Sequence, residues 1–273
     1  MYPTVGALLG INLPIPLHEL FVGLGVCVAV LVLWRQVRHH EAHDHRLLYV
    51  VTGAVVGGAV LMRMGTWLQH VDLRQNASLV EQWLYGNRSI LGGLLGAWLG
   101  VHVAKRLTGY RPRTGHLFAP AVAAGMAVGR VGCALTELPG TPSALGVGPV
   151  LDEATAARLD GVAGVPLHPS FVYEIAFHTL AFVVLWWWLR DRLDRPAEGF
   201  VLYVAAYGVF RLLVEGVRGN EAVWAGLTRP QLFLALMVPI LLARVWWLWR
   251  HGHLAPALPP HAPPPADRQE IAA

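Results

Sequence analysis

One arginine sits where a charge is costly. The stretch from Leu117 to Leu135, LFAPAVAAGMAVGRVGCAL, is long enough to span a bilayer and carries no charge except Arg130. A guanidinium at that depth costs at least ~2.5–3.5 kcal/mol on insertion scales, so it marks a candidate functional site. Gly125, Ala127, Gly129, Gly132 and Ala134 surround it, and residues this small let a neighbouring backbone or a ligand come close. A fixed positive charge beside bare backbone suits a phospholipid phosphate. The alternative is an internal ion pair that only fixes helix packing.

Other blocks repeat the pattern of polar groups in apolar surroundings. In YVAAYGVFRLLVEGVR, Tyr207, Arg211 and Glu215 recur every four residues, with Arg218 about a turn further on. That spacing stacks them along one helix face. Either Arg211 pairs with Glu215 while Arg218 snorkels, or Arg211 shares a phosphate with Arg130 while Glu215 orients it. Arginine suits the second role because its planar fork bonds two oxygens at once. The segment LHPSFVYE supplies His168, Ser170, Tyr173 and Glu174. A histidine at such a partly wet helix entry suits general-base work. The competing reading is a plain helix start, with Ser170 near the cap and Glu174 favouring the helix N-terminus.

The block SILGGLLGAWLG is built on Gly92, Gly93, Gly96 and Gly100. A tight helix contact explains it, and glycine amides facing a lipid headgroup is the sharper alternative. HHEAHDHR places His39, His40, His43 and His45 at metal-ligand spacings. Nothing around them imposes rigidity, so a solvated loop is expected. Cys133, a small thiol in an apolar helix, reads as a packing residue. Arg63 is a further charge at membrane depth.

These side chains need long apolar elements to hold them. The chain has 273 residues, 55% hydrophobic and 14% charged, where a soluble domain carries about 25% charge. An all-α polytopic membrane protein follows, with about seven spans near 17–34, 48–68, 89–104, 117–135, 171–189, 199–217 and 227–248. Thr136 to His168 reads as an outer loop with a short helix capped by Asp152. Gly65 to Gly86 reads as partly amphipathic through Trp67, Leu73, Val80, Trp83 and Leu84.

Basic residues cluster on one side: Arg35, Arg38 and Arg46, then Lys105, Arg106, Arg111 and Arg113, then Arg190, Arg192 and Arg195. The other side holds Arg74, Arg88, Arg158, Arg218 and Arg229. The positive-inside rule makes the first set cytoplasmic, with the N-terminus outside and the C-terminus inside. Residues 1–250 form one membrane domain, and the proline-rich tail 251–273 is expected to be disordered and cytoplasmic. No charged region precedes the first span as in a cleavable leader. Cys27 and Cys133 both lie within spans, which argues against a disulfide framework. The net charge of +4 reflects the loop bias and does not point to nucleic acid.

Taken together, the blocks resemble the prolipoprotein diacylglyceryl transferase family from about residue 15 to 245. GRVGCALTELPG is similar to a shortened form of its signature, LHPSFVYE to its His-Pro-Ser block, and YGVFRLLVEGVR to its Tyr-Gly…Arg…Glu…Arg block. TRPQL is similar to the Gln that follows, and LGGLLG stands in place of its His-Gly-Gly-Leu block. The resemblance implies a multi-pass protein of the bacterial inner membrane. It implies transfer of a diacylglyceryl group from phosphatidylglycerol to the lipobox cysteine of a lipoprotein precursor's signal peptide, with no cofactor or resident metal.

It further implies phosphate handling by Arg130 and Arg211, supporting roles for Glu137, Glu215 and Arg218, and a headgroup contact for Tyr207. His18 falls where the family has a tyrosine, and Gly92, Gly93 and Gly129 become substrate-side backbone. Two departures stand out. Leu91 replaces the histidine that opens the Gly-Gly block, and Cys133 replaces an asparagine. With that histidine gone, His168 is the expected base and His18 the second choice. The rival readings are a related transferase with another acceptor and a lipid-binding protein without catalysis.

Overall fold

The computed structural model describes residues 2–69, 89–190, 192–193 and 195–256, excepting the side chains of 65–69. Among these residues, six helices are long and apolar enough to cross a membrane: Leu17–His39, Arg46–Met64, Gly115–Thr136, Ser170–Leu189, Pro196–Glu215 and Arg229–Arg250. The protein is an all-α multi-pass membrane protein. The third expected span is also a helix, Ile90–Thr108, but it falls outside this set of six. Lys105 and Arg106 occupy its last turn.

In chain order the helices are α1 (Val5–Leu9), α2 (Leu17–His39), α3 (Arg46–Gln69), α4 (Ile90–Thr108), α5 (Gly115–Thr136), α6 (Glu153–Leu159), α7 (Ser170–Val183), α8 (Gly199–Glu215) and α9 (Arg229–Arg250). A π-helical stretch, Val184–Leu189, continues α7, and a 3-10 turn, Pro196–Glu198, leads into α8. The chain divides into two units.

One unit comprises residues 1–34, 114–221 and 233–273. Its centre is α5, whose alanines let larger side chains close over it. Ala119 and Ala123 pack with Leu185 and Tyr203, and Ala121 and Ala124 pack with Val32. Against α2 the contact is closer. A Cβ on Gly25 would come 2.6 Å from the Gly125 carbonyl oxygen, and one on Gly132 would lie 3.1 Å from that of His18. Only hydrogen side chains permit this approach, which draws the first turn of α2 beside the last turn of α5.

The segment after α5 is tied down by its backbone. Thr141 N–H donates to Val217 O at 2.9 Å, and His168 N–H donates to Thr141 O at 2.9 Å. The expected short helix is present as α6, with Asp152 Oδ1 accepting from Thr155 N–H at 2.8 Å. Trp186 and Trp188 carry Arg190 and Arg192 over their rings, and Trp246 carries Arg250. Such amphipathic pairs suit a membrane interface.

The second unit comprises residues 35–113 and 222–232. Helices α3 and α4 run antiparallel, with Gly53 meeting Gly100, Gly57 meeting Gly96, and Leu61 meeting Gly92. Asp44 caps α3 by accepting from Arg46 N–H at 2.9 Å and pairing with its guanidinium. A two-stranded hairpin, Ala222–Trp224 with Leu227–Thr228, turns through Ala225 and Gly226, both at positive φ. Two successive left-handed residues match the tight turns that suit paired strands.

The amphipathic reading of Gly65 to Gly86 lies mostly outside the described residues; α3 takes in its start through Gln69. Of the tail, residues 251–256 form turns, with Pro256 bridged to Leu193. Residues 257–273 lie outside the described set.

Candidate functional site

Three helices deliver charge to one buried point. Helix α7 contributes Glu174 and α5 contributes Arg130, while α8 contributes Tyr207, Arg211 and Glu215 from one stripe of four-residue spacing. Arg218 follows the end of α8. Ser170 Oγ donates to the Pro139 carbonyl oxygen and thereby fixes the start of α7.

Glu174 is the hub. Its fully buried carboxylate pairs through Oε2 with Arg130 Nη2, while Oε1 accepts from Arg218 Nη1 at 2.7 Å and lies 4.0 Å from Arg211 Nε. Tyr207 Oη lies 3.4 Å from both Arg130 Nη2 and Glu174 Oε2. Arg211 Nη1 pairs with Glu215 Oε2, and Asn220 Nδ2 donates to Glu215 Oε1 at 2.6 Å. Arg130 and Arg211 thus face the same carboxylate.

Three guanidiniums crowd two carboxylates in these contacts, and the Glu137 carboxylate lies close enough to act on Arg218 as well. Arg130 Nε is buried without a hydrogen-bond partner, as is His178 Nε2. A buried polar group left unsatisfied costs about 1–3 kcal/mol, so the cluster retains a donor for an acceptor that the described residues do not supply. Burial, with Arg211 close by, pushes the Arg218 guanidinium below the usual arginine range.

Beside this cluster lies a smaller one. Cys133 Sγ is 3.8 Å from Arg130 Nη1 and 3.9 Å from His18 Nδ1, and His18 Nδ1 is 3.4 Å from Glu137 Oε1. His18 and Glu137 remain partly open to water.

Most of the expected residues fall into these two groups: Arg130, Tyr207, Arg211, Glu215 and Arg218 in the first, His18 and Glu137 in the second. His168 is half-buried, its Nδ1 3.3 Å from Tyr173 Oη. Its backbone tie to Thr141 leads through Val217 to the neighbour of Arg218. Gly129 leaves open space where a Cβ would point. Gly92 and Gly93 lie on α4 against α3, where helix packing accounts for them. Arg63 lies on α3.

Glu174 needs correcting from a helix-start charge to the centre of the site. His178 and Tyr203 were not anticipated, although Glu174 and His178 are four apart, as are Tyr203 and Tyr207. Tyr203 Oη and His178 Nδ1 lie 3.0 Å apart. Asn220 carried no sequence signal, since it reaches Glu215 from beyond the helix.

Fold and site together define a multi-pass helical membrane protein with a buried, arginine-rich cluster of ionisable side chains. The comparisons refine that class. The family model described as prolipoprotein diacylglyceryl transferase matches residues 7–249, and the chain belongs to that family.

Three relatives are each named phosphatidylglycerol–prolipoprotein diacylglyceryl transferase. The chain is 31% identical to that of Pseudomonas paraeruginosa over 221 residues, covering 77% of this chain and 78% of the relative. It is 30% identical to that of Pseudomonas fluorescens over 229 residues, covering 80% of each. For Clostridium tetani the figures are 26% over 228 residues, covering 81% and 87%.

Proposed function

We infer that this chain is a phosphatidylglycerol–prolipoprotein diacylglyceryl transferase of the bacterial inner membrane, with its N-terminus periplasmic and its C-terminus cytoplasmic. The observation that carries the reading is the convergence of Arg130 and Arg211 on the Glu174 carboxylate, with the buried Nε of Arg130 unpartnered among the described residues. A phosphodiester supplies an acceptor for that N–H.

In the reaction the lipobox sulfur attacks a glycerol carbon of phosphatidylglycerol. The carbon–sulfur bond forms as the carbon–oxygen bond to phosphate breaks, and glycerol phosphate leaves with the electron pair. Arg130 and Arg211 stabilise the charge that grows on that phosphate, inside a site too dry for water to screen it. Glu174 and Glu215 hold the two guanidiniums in place, Arg218 adds charge, and Tyr207 lines the headgroup. The thiol must lose its proton, and His168 takes it. Its partial exposure and its tie to the 139–141 and 217–218 segments support that role.

The test is transfer from labelled phosphatidylglycerol to a lipobox peptide by the purified protein. Arg130→Ala or Arg211→Ala should lower the rate about 10²–10³-fold, the loss typical of one developing-charge donor. His168→Gln should also cut it strongly, and an unchanged rate would remove His168 as the base. Wild-type protein that binds the lipid yet transfers nothing to the peptide would overturn the thiol acceptor, and amine or hydroxyl acceptors would then be tried.

A further inference from the structure

We propose that His18, Cys133 and Glu137 form a binding site for a divalent transition metal of the zinc class. Their ligand atoms, one from each residue, all lie within 4.8 Å of one another. Among the described residues this is the one group of three or more such side chains that converges so closely; the His39–His45 loop gathers none.

The local structure explains the convergence. Cys133 and Glu137 are four residues apart and so share a helix face, and Glu137 N–H donates to Cys133 O at 2.9 Å, closing the last turn of α5. Gly132 then admits the first turn of α2, which brings in His18.

A single imidazole nitrogen faces both neighbours. His18 Nδ1 is 3.4 Å from the carboxylate and 3.9 Å from the sulfur. A metal ion set between the three side chains would take a lone pair from each. Tetrahedral zinc, with bonds of about 2.0–2.1 Å to nitrogen or oxygen and about 2.3 Å to sulfur, separates N from O by about 3.4 Å and N from S by about 3.6 Å. The two spacings from the imidazole nitrogen need only a few tenths of an ångström of adjustment, and the sulfur and carboxylate close from within 4.8 Å.

Access also fits. His18 and Glu137 are 34% and 43% exposed, which leaves a coordination position open to water. Three protein ligands and one open position make the arrangement of an accessible zinc site, and a thiolate with an imidazole selects zinc or cobalt over magnesium or calcium. The proposal does not depend on the acceptor, and it leaves His168 rather than His18 as the base.

The test is titration of the full-length protein in detergent with Co²⁺, reading the thiolate-to-cobalt charge-transfer absorption. One equivalent should give the band, and Zn²⁺ should bleach it. Cys133→Ser should abolish it, and His18→Gln or Glu137→Gln should weaken binding by at least about tenfold, the lower end of what lost support costs a metal site. Cys27→Ser and the combined His39→Gln, His40→Gln, His43→Gln and His45→Gln variant should leave it unchanged. Absence of the band in the wild-type protein overturns the site. So does a band that survives Cys133→Ser or that disappears with Cys27 or the histidine loop.

Discussion

The α3–α4 pair and the α5–α7–α8 face both bring helices together inside an apolar chain, by opposite means. Helices α3 and α4 meet through Gly53, Gly57, Gly96 and Gly100, where backbone touches backbone and no side chain intervenes. Helices α5, α7 and α8 meet through Arg130, Glu174 and Arg211, which are buried and joined by ion pairs. The glycine contact is complete in itself, for every approach is satisfied by packing. The charged contact is incomplete, since the N–H of Arg130 Nε remains over among the described residues. Completeness separates a structural element from a binding site here, although both blocks carry the small or charged residues that attract notice in a membrane span.

The strongest way to break that distinction is at Glu174. Replacing it with Gln keeps the volume but removes the carboxylate that all three guanidiniums share. Removing one partner of a buried pair costs about 3–5 kcal/mol, so thermal unfolding in detergent should occur at a much lower temperature. Added phosphatidylglycerol should restore more stability to this variant than to the wild type, because the lipid phosphate replaces the lost anion. Equal stabilisation of both proteins would show that the cluster does not see the lipid.

Gly96 should respond next. A Cβ there collides with the Gly57 carbonyl and with Leu61, so Gly96→Ala forces α3 and α4 apart at about 1–3 kcal/mol, read as a lower unfolding midpoint. Gly93 sharpens the comparison, because a Cβ there meets Met62 at an ordinary 3.5 Å. Gly93→Ala should change neither stability nor transfer. Lost transfer at full stability would return this block to the headgroup.

Asp152 should give the smallest effect. Hydrogen bonds from Thr155 N–H and Oγ1 hold its carboxyl below the usual carboxylate range. A depressed carboxylate pKa favours the fold above the unfolded-state value and loses that contribution as pH falls through the folded one. Protection of the α6 amides relative to their intrinsic exchange rates should therefore fall on acidification and match that of Asp152→Ala at low pH. Transfer at neutral pH should be unaffected by the substitution.

What the sequence discloses follows the range of the interaction. The apolar runs, the four-residue stripe of Tyr207, Arg211 and Glu215, and the Asp152 cap are local patterns, and each is legible. The role of Glu174 is not. Four residues into a helix, it has the sequence appearance of a charge placed for the helix dipole, and only the approach of α5 and α8 makes it a shared counter-ion. The grouping of His18 with Cys133 and Glu137 is equally hidden, because 115 residues separate His18 from Cys133 and Gly132 sets their approach. The Ala225–Gly226 turn lacks the Asn-Gly or Asp-Gly signal that usually announces a hairpin.

The most direct test of the anion pocket is the dissociation constant of phosphatidylglycerol for delipidated protein, with diacylglycerol as the phosphate-free reference. The wild type should prefer phosphatidylglycerol. Combining Arg130→Gln with Arg211→Gln should weaken that lipid by roughly 100-fold, from two charge-assisted hydrogen bonds at about 1.5 kcal/mol or more each, while leaving diacylglycerol binding alone. Unchanged phosphatidylglycerol affinity in the double variant would contradict the account and place the headgroup elsewhere.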